Sequence, residues 1–451
     1  MARPLTLCAA LSLALLAAGI AAAGMQDKAG GRGLYGEDWV PDPVHEYWDP
    51  GAYHEPETDG VEGRFSGAEC VECHQGVTPG IVNDWQASRH REPGAGKPPV
   101  TCAACHGDDH QALRFPTPAD CGNCHEQQHG QFLDERRYGF PSHALAMQRA
   151  VDAKHFVDKP KAEVAACLQC HSVATKCDSC HTRHRFSAAE ARRPEACLTC
   201  HSGPPHPDDE TYFASAHGQR YLADGSGWDW SKPLRKGNYP APTCAYCHMR
   251  GGKHQVADKS IWKFGLREIN PRSPENKVKR RRWIAVCADC HKEDQAAAWL
   301  GALDGERKDA WDVLDEAEDI LRALRSNDLL YPAPGERPPY PVDAVESVWP
   351  TARIGLHEGQ ASAFYNVSGI ERAFFEMWYF DNLGAYKAAA HGAPALVRDG
   401  HARLVRSLEN IRREAATLRD LGNAESAAKS RPDPSELWLK GAYSDLNRER
   451  N

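Results

Sequence analysis

The stretch CLQCHSVATKCDSCHTRHRFSAAEARRPEACLTCHSGPPH runs from Cys167 to His206 and holds three copies of Cys-x-x-Cys-His: Cys167-Cys170-His171, Cys177-Cys180-His181 and Cys197-Cys200-His201. Each copy is the attachment pattern of a c-type haem. The two thiols add to the vinyl groups of a porphyrin as thioethers, and the histidine that follows reaches the iron from one face. Groups attached this close in sequence must lie close in space, so the rest of the chain is expected to be arranged around this cluster.

The same spacing recurs outward from it, at Cys70-Cys73-His74, Cys102-Cys105-His106, Cys121-Cys124-His125, Cys244-Cys247-His248 and Cys287-Cys290-His291. Of the seventeen cysteines, Cys8 lies in an N-terminal apolar run and the other sixteen fall into the eight motifs with none left over. A single such motif is compatible with a zinc or redox site, and an even cysteine count with disulfides. A histidine directly after every pair, and no stray thiol, point instead to eight covalently bound c-type haems.

The 451 residues leave room for one large or two ordinary domains. Residues 1–23 read as a secretory signal peptide: Arg3, an apolar run from Leu5 to Ile20, then Ala21-Ala22-Ala23. This predicts export to the periplasm, with no other stretch apolar enough to span a membrane. Residues 24–66 are rich in Gly, Pro, Asp and aromatics without helical or strand period. They read as an irregular arm with Trp39, Tyr47 and Trp48 as packing anchors. Residues 67–292 hold the motifs at a density that leaves too few side chains for a conventional core, so the porphyrins must supply most of the buried apolar surface. Short helices and many turns are expected there, and almost no strand. Residues 293–451 change character. Trp311, Leu314, Ala317, Leu321 and Leu324 recur at helical spacing, and further long helices are predicted over 362–390 and 395–421, the last stopped by Gly422. The fold class is therefore mainly α, a multihaem domain with little regular core followed by a long helical bundle suited to oligomerisation.

The formal charge of −8 omits the haem propionates. The basic run Lys277 to Arg282, directly before the eighth motif, is read as pairing with such carboxylates and not with nucleic acid.

Twenty-two histidines are present, and eight, His74, His106, His125, His171, His181, His201, His248 and His291, belong to the motifs as proximal ligands. A haem that only carries electrons is usually six-coordinate and needs a second axial partner. His90, His110, His143, His184, His217 and His254 are the candidates for that role, each too near its own motif to serve the same haem. His129 and His155 come next. His45 and His54 are read as surface residues, and His357, His391 and His401, in the helical tail, as polar residues that do not ligate.

Together the eight motifs in their order, the segments TCAYCHM and KCDSCHTRH, and the tail ERAFFEMWYFDNLGAYKAAAH resemble the octahaem hydroxylamine oxidoreductase family. The resemblance implies that the haem on Cys167 and Cys170, with His171 beneath it, is catalytic and open on its distal side. It implies that the other seven are bis-histidine carriers and that the long C-terminal helices form a homotrimer. The family places an Asp-His pair a few residues after the sixth motif. Here His206 matches the histidine, Pro205 stands where the aspartate is expected, and Asp208 and Asp209 are the nearby carboxylates. Oxidising members crosslink the catalytic haem to a tyrosine expected just after AYKAAAH, where this chain reads GAPALVRDGHARL. Tyr379 and Tyr386 lie earlier and read as packing residues.

These residues favour an oxidoreductase acting on small nitrogen compounds, nitrite or hydroxylamine, in the reductive direction. His206 would be the distal acid, because an imidazole titrates near working pH. Electrons would come from a partner cytochrome or a membrane quinol-linked cytochrome. A non-catalytic electron-transfer cytochrome and a true hydroxylamine oxidase are the alternatives.

Overall fold

The structure is a computed structural model that describes residues 60–133, 143, 177–203, 206–256, 258–259, 261, 270, 272–330 and 368–427. All belong to one compact unit, Pro56–Asn451. The fourth motif (Cys167, Cys170, His171), residues 1–23, nearly all of the arm, and Pro205, His155 and His357 lie outside the described residues.

The described chain is mainly helical. It contains no strand among those residues, and one isolated antiparallel bridge joins Arg64 to Asp109. Between the motifs the helices are short. α1 (Gly67–Val77) carries the first motif, α2 (Pro79–Gln86) follows it, α3 (Glu126–Leu133) succeeds the third motif and α4 (Ala216–Asp224) follows the sixth. Caps explain where several begin. Ser66 and Glu69 form a capping box at α1, and the Ser215 hydroxyl accepts from the Gly218 amide at α4. α1 buries none of its own side chains and α2 buries only Val82.

The motifs themselves wind into single helical turns. Cys102–His106 and Cys244–His248 are five-residue helices, and the amides of His125, His201 and His291 bond back to the carbonyls of Cys121, Cys197 and Cys287 at 2.8–2.9 Å. In the sixth motif the amide of Cys200 also donates to the Cys197 carbonyl, at 3.1 Å, which tightens the turn between the two thiols. A turn of 3.6 residues brings positions i, i+3 and i+4 to one side. Both thiols and the imidazole of each motif therefore face the same way.

A different architecture follows. α5 (Pro274–Cys287) delivers the eighth motif and leads into α6 (Glu293–Ser326), whose 34 residues make a rod of about 51 Å. α7 (Gly369–Glu376) continues through a π turn, Met377–Asp381, into α8 (Asn382–His391), and α9 (Pro394–Ala427) returns along it. The hairpin between α8 and α9 is made by Gly392 in the left-handed region, φ 75°, with Pro394 at the first position of α9. α6, α8 and α9 pack together around a core that includes Trp311, Leu314, Leu321, Phe374, Trp378, Leu404 and Ile411, none more than 3% exposed. The apolar stripe predicted on α6 is the buried one. Polar clamps fasten the helices: the guanidinium of Arg412 donates twice to Glu316, at 2.7 Å each, and the Ile370 amide donates to Glu414.

Gly422 does not stop the last helix, which continues to Ala427. A glycine weakens a helix by only about 1 kcal/mol relative to alanine, and here a neighbour uses its bareness. A Cβ at 422 would fall 2.3 Å from Cδ2 of Leu329, so the glycine gives Leu329 its seat. Among the described residues no helix is long and apolar enough to cross a membrane.

Candidate haem centres

Two imidazoles sharing one metal ion at about 2.0–2.1 Å per bond stand with ring centres about 6 Å apart. Among the described residues, besides the neighbouring rings of His201 and His206, the fold sets six pairs of histidine rings at that separation. His74 faces His110 at 6.5 Å, His125 faces His90 at 6.2 Å and His106 faces His184 at 6.0 Å. His201 faces His143 at 6.2 Å, His181 faces His254 at 6.1 Å and His291 faces His217 at 6.0 Å. Each pair joins one motif histidine to one of the six residues that the sequence offers as a distal ligand. None joins a histidine to its own motif, because a side chain so close in sequence cannot cross the porphyrin it is tied to.

Several of these rings are held as iron ligands are held. A metal-binding histidine typically donates its other N–H to a carbonyl or carboxylate, which fixes tautomer and orientation. Nδ1 of His106 lies 3.0 Å from the carbonyl oxygen of Arg114, and Nδ1 of His254 lies 3.0 Å from that of Gly252. A carbonyl only accepts, so Nδ1 carries the proton and Nε2 keeps its lone pair for a metal. Nδ1 of His201 sits 3.3 Å from Oδ2 of Asp208 in the same manner. Burial, and after it the charge of His201, pushes His143 down to about 4, and burial with the charge of His391 pushes His248 down to about 3. His90, His181, His184 and His217 are lowered for the same first reason. These imidazoles are neutral near pH 7, the state that binds iron.

The thiols fit the same reading. Fourteen motif cysteines lie among the described residues, and none is in a disulfide, as thioether formation requires. Cys197 and Cys200 of the sixth motif are both half-buried, one turn apart beside His201, whereas Cys73, Cys124 and Cys290 are exposed. Cys167 and Cys170, the attachment pair expected to carry the catalytic haem, lie outside the described residues.

Comparison with known proteins agrees with this geometry. The family described as "Seven times multi-haem cytochrome CxxCH" matches residues 98–338, and "Cytochrome c7 and related cytochrome c" matches 56–126. A probable nitrite reductase–hydroxylamine oxidoreductase fusion protein of Kuenenia stuttgartiensis is 33% identical over 88% of this chain. This chain spans 57% of that relative's length. A solved structure, a Kuenenia stuttgartiensis reducing HAO-like protein complex, aligns with a TM-score of 0.71 at 30% identity, covering 87% of this chain and 93% of that one. The chain belongs to the hydroxylamine oxidoreductase-like family of multihaem c-type cytochromes. A hypothetical multiheme protein shares the fold at a TM-score of 0.60 and 18% identity, over 82% of this chain and 98% of that one.

In this hydroxylamine oxidoreductase-like cytochrome the motifs form a continuous series. The thiols of Cys70 and Cys102 interact, as do those of Cys121 and Cys177, and of Cys197 and Cys244. Cys105 senses Cys121, Cys180 senses Cys197, and Cys247 senses Cys287. The order in space is therefore first, second, third, fifth, sixth, seventh and eighth motif, each beside the next.

The sixth motif is tied to the C-terminal helices. Asp208 accepts from His201 and from Nζ of Lys387 at 2.8 and 3.0 Å. Burial opposes its charge, but the bond from His201 and the ammonium of Lys387 outweigh it and hold the carboxyl well below the usual range. Beside it, Nδ1 of His391 lies 3.0 Å from the carbonyl oxygen of Lys387 and 2.9 Å from the hydroxyl of Thr211. His391, read from the sequence as a polar residue that does not ligate, thus carries its proton on Nδ1, as a metal-binding histidine does. The signal available was the Lys387-to-His391 spacing of one helical turn, ambiguous without the fold.

His206 is half-buried, its ring edge-on to His201 at 5.9 Å. His201, His206 and Asp208 bring donor atoms within 4.8 Å of one another. Lys387 already supplies the positive charge there, so the trio does not need a separate cation. Asp208 is committed to His201 and Lys387, whereas Oδ1 of Asp209 is buried without a hydrogen-bond partner. His129 packs where a Cβ on Gly122 would fall, with Nε2 buried and unpartnered, and faces no motif histidine among the described residues. In the basic run, Lys279 pairs with Glu275 and Arg280 with Asp304, so protein carboxylates take two of the cations read as propionate partners. Tyr379 stacks on Phe375 at 5.1 Å, and Tyr386 lies half-buried beneath Arg307.

Proposed function

We propose that this protein is an exported, periplasmic octahaem oxidoreductase that reduces a small nitrogen oxide, nitrite or hydroxylamine. The observation that carries the reading is the set of six histidine pairs at iron-bridging separation, joined in one series of neighbouring motifs. A seventh pair is assigned to His248 and His391. The two imidazoles lie close enough to interact, burial keeps both neutral, and the Nδ1–H of His391 is fixed on the Lys387 carbonyl. The family resemblance then puts the open distal position at His171, the fourth motif. Haem at such centres supplies one-electron transfer and, where a position is open, coordination of a nitrogen oxide.

The protein's own part is positional. The paired histidines would hold seven haems from both faces and so keep them from substrate. The Asp208–Lys387 ion pair and Thr211 lock His201 and His391. His206, close to this network, is assigned as the distal acid, with Asp209, whose Oδ1 is buried without a hydrogen-bond partner, the nearby carboxylate. The reductive direction is favoured by the absence of a tyrosine in GAPALVRDGHARL, and by relatives whose names include a nitrite reductase and a reducing complex.

Spin-state spectroscopy of the holoprotein tests this. One high-spin haem that shifts on adding nitrite or hydroxylamine, together with viologen-linked reduction of either, is the expected result. Eight low-spin irons indifferent to both substrates would mean a pure electron-transfer cytochrome. Subunits joined through haem in denaturing intact-mass analysis would mean an oxidase.

A further inference from the structure

A cavity of about 600 Å³ lies between α5 and the loop after the seventh motif. Lys253 and Gln255, the residues on either side of His254, line it with Arg250, Lys259 and Arg282. The wall is thus shared by the partner of His181 and by the segment that leaves His248. Four cations stand there against the carboxylates of Asp258, in the wall, and Asp289, which binds Arg250 at 2.8 Å. Gln255 is 2% exposed, and neither its Nε2 nor its Oε1 has a hydrogen-bond partner. An amide is costly to bury unpaired, so its environment calls for a ligand that accepts a hydrogen bond.

Lys259 is buried as well. Its ammonium pairs with Asp258 at 2.9 Å and lies 5.4 Å over the ring of Trp283. The indole N–H of Trp283 donates to the Lys259 carbonyl at 2.8 Å, and the ring meets the imidazole of His248 edge-on at 5.3 Å. An ion-paired ammonium is therefore stacked, through one aromatic ring, on the proximal ligand of the seventh motif, its carboxylate partner offsetting part of its charge. Its field reaches both His248 and Cys247.

We propose that this cavity is a carboxylate clamp for the propionates of the haems at the fifth and seventh motifs, with Gln255 donating through Nε2, and that Lys259 on Trp283 raises the reduction potential of the haem on Cys244 and Cys247. The inference rests on the histidine pairing given above and is independent of the substrate. Reduction adds one electron at the iron, and a nearby buried cation stabilises the reduced form more than the oxidised one. The seventh haem then holds an electron more readily than it would without Lys259.

Redox titration of the holoprotein, followed by visible and paramagnetic resonance spectra, tests the clamp in Lys259→Met, Lys259→Arg and Gln255→Glu. Lys259→Met is expected to lower one low-spin midpoint, changing that haem's reduced-to-oxidised ratio at fixed potential by about tenfold, a shift of about 59 mV. Lys259→Arg should restore most of it, and Gln255→Glu should move a midpoint in the same direction as Lys259→Met. A Lys259→Met protein with full haem content and unmoved midpoints overturns the proposal, as does a uniform shift of every haem. The ligand pairing is read separately: His254→Met should change the low-spin signature of one haem, and an unchanged signature would refute the pairing whatever the potentials do.

Discussion

The region around the motifs and the region after them solve the problem of a core in opposite ways. Among the described residues up to 292, nine apolar side chains are buried, whereas the shorter described stretch beyond it buries twenty-two. α6, α8 and α9 interlock their own leucines, alanines and aromatics, and their stability belongs to the polypeptide. α1 and α2 bury a single side chain between them, and α5 buries only Lys279 and Val286. What those helices hold in common is the presentation of thiols and imidazoles. One half of the molecule is folded by its side chains; the other is folded by what its side chains bind.

The largest effect expected from this contrast is on removing the haems. A chain produced without haem attachment should exchange its amides freely through residues 60–292 and stay protected along α6, α8 and α9. Hydrogen exchange read by mass spectrometry decides it, and equal protection in both regions would break the contrast. Next, Leu314→Ala should cost about 2–5 kcal/mol in the helical region, seen in denaturant titration followed by helicity, and leave the haem spectrum unchanged at rest. At a single centre, His143→Ala should convert one low-spin haem to a high-spin one by paramagnetic resonance, without loss of the covalent haem.

The pH dependence is narrower. His143 has a folded pKa of about 4 against 6.5 for the free group. Its contribution is therefore fully present above 6.5 and lost as pH falls from there through about 4, a direction that iron ligation reinforces. Low-spin absorbance should hold at neutral pH and fail on acidification across that window. Smallest is Asp208→Asn, which leaves His201 in place but loosens its orientation. An effect on the order of tenfold on the affinity of that centre for cyanide as a competing ligand is expected.

Much of this was legible in the chain. Cys-x-x-Cys-His fixes its own local turn, so the motif histidines could be placed by spacing alone. The stripe from Trp311 to Leu324 could be read because a helix repeats every 3.6 residues. The six distal candidates stand in short polar segments such as SRH and SAH, and the fold brings each to a motif histidine. His391 was not legible. Its setting depends on α8 lying against Asp208 and Thr211, a contact spanning some 180 positions of sequence. The same holds for Lys259 and Trp283, ordinary residues until folding stacks one on the other. Gly422 was misread because its neighbour, Leu329, comes from the turn just past the end of α6 and not from its own helix.

A helix such as α1, which buries none of its own side chains, makes little demand on what those side chains are. Apart from the cysteines, the histidine and the cap, almost any residue that tolerates a helical turn will serve. The motif region can then diverge in sequence far more freely than an ordinary core, where each replacement must fit its neighbours. The shared fold of the hypothetical multiheme protein at 18% identity is what such freedom would leave behind. In proteins built this way kinship is written in the placement of a few ligands and hardly at all in the residues between them.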